Sequence, residues 1–286
     1  MNPRVSIVIP AYNNVQYIAE TLESVLNQTY DDYEVVVADH SSVDGTQEVI
    51  DTFMGHPKLR ILSPTPAGGG AKANWNRVSS EARGEYVKLV CGDDMIAPTA
   101  VAEQVAAFEK YPTAVLVASQ RDLVDSSGEV FVKNRGLQGI KGLVSGPRAV
   151  RATVVAGSNI FGEPACVMYR RELLEAEGGW DNTNPYLIDE ATYARICFHG
   201  DVVAMRRSLA TFRISASQWS VRLAKQQSDQ AIAFHEQIAR EHPGVLNKFD
   251  LMVGNAKAVG MSYARRLAYI RLRKRMGHEH AVESTV

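Results

Sequence analysis

The sequence predicts a mixed α/β fold: a mostly parallel sheet with helices on both faces, followed by a helical C-terminal extension. Three observations carry that expectation. Apolar β-branched runs alternate with helically spaced segments through residues 1–110, the order of βαβ units. Three of those runs end in residues with chemical use: Pro10-Ala-Tyr-Asn13, Asp39 and Cys91-Gly-Asp-Asp94. Parallel sheets of this kind bind ligands at the carboxyl ends of their strands. Third, from Trp219 onward the chain reads as helix, with a break near His242-Pro-Gly244.

The elements follow in order. Val5–Ile9 is the first strand. Val15, Ile18, Leu22, Val25 and Leu26 keep helical spacing, with Asn13 or Asn14 as the expected cap. A second strand leads to Asp39. Asp44-Gly-Thr46 opens a helix whose Val49, Ile50 and Phe53 share one face. Leu59–Leu62 and Glu85–Val90 read as the third and fourth strands, and Pro98 suits the first turn of a further helix. Beyond residue 111 the pattern changes. Residues 114–118 read as a strand, and Leu123–Val132 as a hairpin around Ser126-Ser-Gly128. Residues 165–170 read as a strand and Arg171–Glu177 as a short helix ended by Gly178-Gly179. Residues 189–198 are expected to be helical, and 202–206 and 210–213 extended.

Composition narrows the function classes. The 286 residues are 45% hydrophobic, enough for one large domain or two small ones. Lys and Arg (31) nearly balance Asp and Glu (32), and a net charge of −1 argues against a general polyanion binder, so no nucleic-acid partner is expected. Cys91, Cys166 and Cys197 are far apart, without CxxC spacing, as in a reducing compartment without a zinc site or disulfide framework. The N-terminus lacks a basic n-region and a long apolar run, so no signal peptide is expected. No stretch approaches the ~20 apolar residues of a membrane span. A cytoplasmic protein is the expectation.

The strand tips suggest a planar ligand. A Tyr12 ring could stack on a base, and the Asp39 carboxylate could accept from a base N–H. Read structurally, Pro10-Ala-Tyr-Asn13 is a strand-to-helix turn, and Ser41 and Ser42 cap the next one. Together with VVVADHSSVDGT at 35–46, these residues resemble the family-2 glycosyltransferases of the GT-A fold. That resemblance implies a Rossmann-like GT-A sheet and an inverting transfer from a nucleotide-sugar donor to an acceptor hydroxyl. It implies a catalytic domain over 1–217, with a donor-binding half at 1–110 and an acceptor-binding half at 111–217. Residues 218–286 would then be a C-terminal helical region.

The resemblance assigns Pro10, Ala11 and Tyr12 to the nucleoside pocket and Asp39 to the base edge, with His40 where relatives often carry a second acid. In GAKANWNRVSSEARGEYVKLVCGDD at 70–94, Lys72, Asn74, Asn76 and Arg77 could face the nucleotide, or be solvated around a core of Trp75 and Val78. Asp93 and Asp94 match the family's acidic motif, which implies a divalent cation, Mg²⁺ or Mn²⁺. Hard ions take carboxylates beside phosphate oxygens. Cys91 stands where relatives have a first acid, and Ser215 where they often have a metal-binding histidine, so weak metal binding is implied. Gly178-Gly-Trp-Asp181 and Tyr186-Leu-Ile-Asp-Glu190 resemble the acceptor segment. There Asp189 would be the catalytic base with Glu190 its neighbour, although an N-cap role suits Asp189 as well. Glu163 and Trp180 are expected near the acceptor or sugar.

Arg265, Arg266, Arg271, Arg273, Lys274 and Arg275 give the last helix a basic character. That is either a solvated face or a peripheral contact with the inner face of a membrane presenting a lipid-linked acceptor. A nucleotidyltransferase is the rival enzyme class. It would want a glycine-rich basic loop after the first strand, and PAYNNVQY has neither glycine nor lysine. A catalytically inactive nucleotide-sugar-binding module is the third reading.

Overall fold

The computed structural model describes residues 2–214 and 226–283, with side chains to Arg266 in the last helix. Ser215 and Trp219 lie outside the described residues, as do the side chains of Arg271, Arg273, Lys274 and Arg275. Among the described residues ten strands form one sheet: β1 Val5–Ala11, β2 Tyr33–Asp39, β3 Leu59–Ile61, β4 Tyr86–Leu89, β5 Met95–Ile96, β6 Ala114–Val124, β7 Val130–Arg135, β8 Gly142–Ser145, β9 Val167–Arg170 and β10 Asp201–Arg213. Their order is β3-β2-β1-β4-β9-β6-β10-β5, with β7 beside β6 and β8 beside β10. β1 is parallel to β2 and β4, and β2 to β3. β9 runs antiparallel to both β4 and β6, which restores β6 to the direction of β1, and β10 runs parallel to β6. The sheet is therefore mostly parallel, as expected.

Nine α-helices surround it among the described residues: α1 Ile18–Leu26, α2 Thr46–Asp51, α3 Gly70–Ser80, α4 Ala100–Lys110, α5 Gly146–Ala156, α6 Arg171–Ala176, α7 Ile188–Cys197, α8 Gln227–Glu241 and α9 Lys248–Glu283. β1 is buried along its whole length, which explains its unbroken apolar run. The register pairs Ala11 with Asp39, so the tips of β1 and β2 lie side by side. Asn74 of α3 stitches these tips. Its Nδ2 donates to the Ala11 and Ala38 carbonyls at 3.1 and 3.0 Å, and its Oδ1 accepts from the Thr65 hydroxyl at 2.6 Å.

Several local expectations change. α1 starts at Ile18 without a side-chain cap. Asn13 sits at φ 49, and the Asn14 side chain instead accepts from the Tyr12 N–H at 2.8 Å, so neither asparagine caps it. The two extended pieces at 202–206 and 210–213 are one strand, β10, irregular around Ser208. The helix expected at Pro98 begins at Ala100, because Met95–Ile96 first pairs with β10. Helices α3 and α5 escaped the sequence reading. α3 opens on glycines and buries only Asn74, Val78 and Ser79, too few apolar positions for a periodic signal.

α9 packs on α5 and α8. A Cβ added to Gly254 would lie 2.4 Å from the Val154 carbonyl, so glycine is what permits this approach. Arg151 of α5 grips the buried Asp250 of α9 through two hydrogen bonds of 2.9 and 2.8 Å. No helix among the described residues is long and apolar enough to cross a membrane.

Candidate active site

A cavity of about 860 Å³ opens at the carboxyl ends of β1, β2 and β4 and extends to α7 and α9. Its first wall carries Pro10, Tyr12 and His40. Tyr12 is half exposed, its ring centroid 5.7 Å from that of His40, and His40 Nε2 lies 2.9 Å from the Gly68 carbonyl. Asp39 is buried behind this wall. Its two carboxylate oxygens accept from the Ser42 N–H at 2.8 Å and from the Ser42 hydroxyl, so it braces the Ser41–Ser42 turn.

The second wall is the tip of β4. Cys91, Gly92, Asp93 and Asp94 all line the cavity. A Cβ on Gly92 would lie 2.5 Å from Asn14 Oδ1, so only glycine lets the acidic turn approach the tip of β1. Arg213 holds that turn from β10: its N–H donates to Asp94 Oδ1 and its Nε to the Asp93 carbonyl, both at 3.2 Å. Asp94 Oδ2 is buried without a hydrogen-bond partner among the described residues. Burial, then the neighbouring Asp93, pushes the Asp94 carboxyl well above its usual range. An orphaned buried carboxylate oxygen beside a second carboxylate fits a cation. No group of three metal-ligating side chains occurs among the described residues, so a metal here would depend on phosphate oxygens. Cys91 adds little to it: burial holds the thiol pKa well above its usual value, and a protonated thiol is a poor ligand.

The third wall is built on α7. Asp189 Oδ2 accepts from Asn159 Nδ2 at 2.9 Å, and Oδ1 from the Glu190 N–H at 2.7 Å. Burial pushes the Asp189 carboxyl up to about 7, with Glu190 and Glu163 adding to the rise. Burial also takes Glu190 to about 7, and its Oε1 accepts from the Thr153 hydroxyl at 2.6 Å. A carboxylate at this pKa, open to a cavity, suits proton abstraction near neutrality. Glu163 faces the same space but is paired: Arg121 meets both of its oxygens through Nε and Nη2.

The family model for glycosyl transferase family 2 matches residues 6–178. The chain belongs to glycosyl transferase family 2. An uncharacterized Mycobacterium tuberculosis protein is 30% identical over 236 residues, covering 77% of this chain and 72% of its own. Among solved structures, S. aureus TarS in complex with UDP-GlcNAc superposes with a TM-score of 0.67 at 18% identity, covering 91% of this chain and 72% of that one. The mannosyltransferase PcManGT from Pyrobaculum calidifontis, in complex with GDP-Man and Mn²⁺, gives 0.63 at 20% identity, covering 99% and 81%. At these identities the structural likeness establishes the GT-A fold.

In this glycosyltransferase Pro10, Tyr12, Asp93, Asp94, Glu163, Asp189 and Glu190 share one cavity, whereas Ala11, Asp39, Asn76 and Trp180 do not line it. Asn76 exchanges two hydrogen bonds with the Trp180 backbone, at 3.1 and 2.9 Å. Its amide is spent on anchoring the Gly178-Gly-Trp loop. Trp180 is 1% exposed and sits edge-on to Trp75, Tyr169 and Tyr193. It is core, which corrects the expectation that it meets the sugar. Arg121, Arg135 and Asn14 were missed. An arginine in a strand looks like surface until the partner strand is known.

Proposed function

We propose that this protein is an inverting glycosyltransferase that moves a sugar from a nucleoside-diphosphate sugar to an acceptor hydroxyl in one displacement. The observation that carries the reading is Asp189: a partly buried carboxylate oriented by Asn159 and Glu190, open to the cavity that also holds Asp93, Asp94 and Tyr12. The nucleoside occupies the end at Pro10, Tyr12 and His40. Asp189 accepts the acceptor proton as its oxygen bonds to the anomeric carbon, while the bond from that carbon to the diphosphate oxygen breaks. Asn159 and the Glu190 N–H hold the carboxylate in line. When bound, a divalent cation (Mg²⁺ or Mn²⁺) on Asp93 and Asp94 supplies charge neutralisation for the departing diphosphate.

Thermal-shift screening against UDP-, dTDP- and GDP-sugars, with and without Mn²⁺, tests the donor half. A ligand at 100 times its dissociation constant stabilises the fold by about 2.7 kcal/mol. Hydrolysis of the bound donor without acceptor separates an enzyme from a binding module, which would show a shift and no hydrolysis. No shift with any nucleotide sugar would remove the reading.

Asp39 retains acceptor capacity, since a carboxylate can take about four hydrogen bonds. Asp39→Ala is expected to weaken binding of the free nucleoside diphosphate by about 1.5–3 kcal/mol in calorimetry. Ser42→Ala is the control. Equal weakening there means that Asp39 acts by holding the turn, and unchanged affinity in Asp39→Ala takes it out of the base pocket.

The acceptor is a glycolipid, polysaccharide or natural-product glycan, and α9 favours a lipid-carried one. Phe249, Met252, Val259 and Tyr263 are exposed at spacings that put them along one side of the helix. Lys248 and Lys257 are exposed beside them, and the only carboxylate in 248–266, Asp250, is buried against Arg151. Apolar side chains flanked by lysines suit the surface of an anionic bilayer. The protein is expected to sediment with phosphatidylserine-containing vesicles, and Phe249→Ser with Tyr263→Ser to reduce this several-fold. Equal sedimentation of both forms would overturn the membrane contact.

A further inference from the structure

The acceptor end of the cavity gathers three arginines, Arg121, Arg135 and Arg265, beside Glu163, Asp189 and Glu190. β6 and β7 pair with Arg121 directly opposite Arg135, an arrangement that like charges disfavour unless something compensates them. For Arg121 the compensation is internal. It is buried, and its guanidinium meets both oxygens of Glu163. Glu163 is thereby used up. Arg135 is half-buried and lines the cavity, yet no carboxylate lies within 4.0 Å of its guanidinium among the described residues.

Arg265 approaches the same end from α9. It donates to the Tyr186 hydroxyl and, at 3.0 Å, to Gln227 Oε1. Both partners are neutral, and Arg265 likewise has no carboxylate in salt-bridge range among the described residues. Arg265 adds to the electrostatic pressure on Arg135, and it steadies the Glu190 carboxylate next to the base. Residues 215–225, SASQWSVRLAK, contain no Asp or Glu, so that stretch brings no counter-charge. Apolar Phe131 and Met261 complete the lining between the two arginines' elements.

Two guanidiniums partly removed from water, with no carboxylate in salt-bridge range among the described residues and facing one cavity, are built to receive an anion. Arginine's planar fork matches phosphate and carboxylate oxygens two at a time. We propose that Arg135 and Arg265 form an anion subsite on the acceptor side, and hence that the acceptor carries a phosphodiester or carboxylate group near the hydroxyl it presents. This rests on the reading above, in which the donor diphosphate lies at Asp93 and Asp94 and the acceptor beside Asp189. The near-neutral net charge excludes a general polyanion binder but is silent about such a local site.

The test uses the full chain in calorimetry with four probes: a glycerol-phosphate oligomer, a glucuronate-containing oligosaccharide, a neutral glucose oligosaccharide of the same length, and UDP with GDP as its alternative. One anionic oligomer is expected to bind at least about tenfold more tightly than the neutral one, and which one it is separates phosphodiester from carboxylate. Arg135→Gln and Arg265→Gln should each weaken that binding about tenfold, Arg135→Lys should recover part of it, and nucleoside-diphosphate affinity should not change. Among the described residues Arg135 makes no side-chain hydrogen bond that its loss would disturb, so its glutamine variant is the cleaner one. Equal affinity for neutral and anionic oligomers would overturn the subsite. So would a loss of UDP or GDP affinity in Arg135→Gln with anion binding intact, since the cluster would then serve the donor. Failure of the native chain to bind either nucleotide would instead sink the donor reading, and the oligomer arm would still decide the subsite.

Discussion

Asp189→Asn is expected to lower turnover by about 10²–10⁴-fold while nucleoside-diphosphate affinity stays unchanged. The amide keeps the size of the side chain and one of its two acceptors, so it still holds either Asn159 or the Glu190 N–H. It cannot take the acceptor proton. The pH profile supplies a second readout. Burial raises the Asp189 carboxyl from 3.8 to about 7, so the base is protonated below that value and turnover should climb as pH rises through it. The stability effect has the opposite sign. Between the unfolded value and about 7 the native state holds the extra proton, so raising pH across this window charges a partly buried group and costs stability. Asp189→Asn should remove its share of that cost. Turnover beside donor affinity in the same variant is the measurement. Near-normal turnover in Asp189→Asn, with collapse in Glu190→Gln, would move the base to the neighbour that Thr153 holds. Near-normal turnover in both would take α7 out of the chemistry.

Asp94→Asn is expected to trade activity for stability. Asp94 is 1% exposed, one oxygen accepts from the Arg213 N–H, and the other has no partner among the described residues. Burying an uncompensated charge is costly, and its raised carboxyl pKa expresses that cost. The amide removes the charge and keeps the acceptor for Arg213. The melting temperature without nucleotide or metal should therefore rise by a few degrees. Turnover should fall by at least about 10²-fold, because the site loses a carboxylate that would hold the cation neutralising the departing diphosphate. Mn²⁺ titration of both forms with UDP present gives the mechanistic half, and Asp94→Asn should bind the ion more weakly. A variant that is less stable and equally active would mean that Asp94 is a packing residue held by Arg213. Unchanged turnover in EDTA would remove the metal from the native mechanism.

The strand tips lining the cavity were legible because strand and motif coincide. Val5–Ile9 announces a buried parallel strand, and the polar residues directly after it must lie at its tip, where such sheets bind ligands. The same logic placed Asp93 and Asp94 after the fourth strand. α7 was legible for a similar reason: an acidic pair at a helix start falls in its first turn. Asn76 and Trp180 were misjudged because a motif says which residues recur together and not which way each side chain points. Asn76 and Trp180 are 104 positions apart, and only the packing of α3 on the loop after α6 shows that each satisfies the other.

Local sequence alone therefore determined the βαβ order, the acids at strand ends and at a helix start, and the family. These depend on periodicity and short spacing, which a chain displays before it folds. Tertiary structure decided everything that rests on pairing between distant segments. It sealed Asp39 with Ser42 and stranded one oxygen of Asp94. It spent Glu163 on Arg121, and brought Arg135 from a hairpin and Arg265 from the last helix to one end of a cavity. The charge state and availability of a polar group depend on burial and on which partner reaches it. Both are properties of the packed chain, and neither can be read from the residues on either side of it.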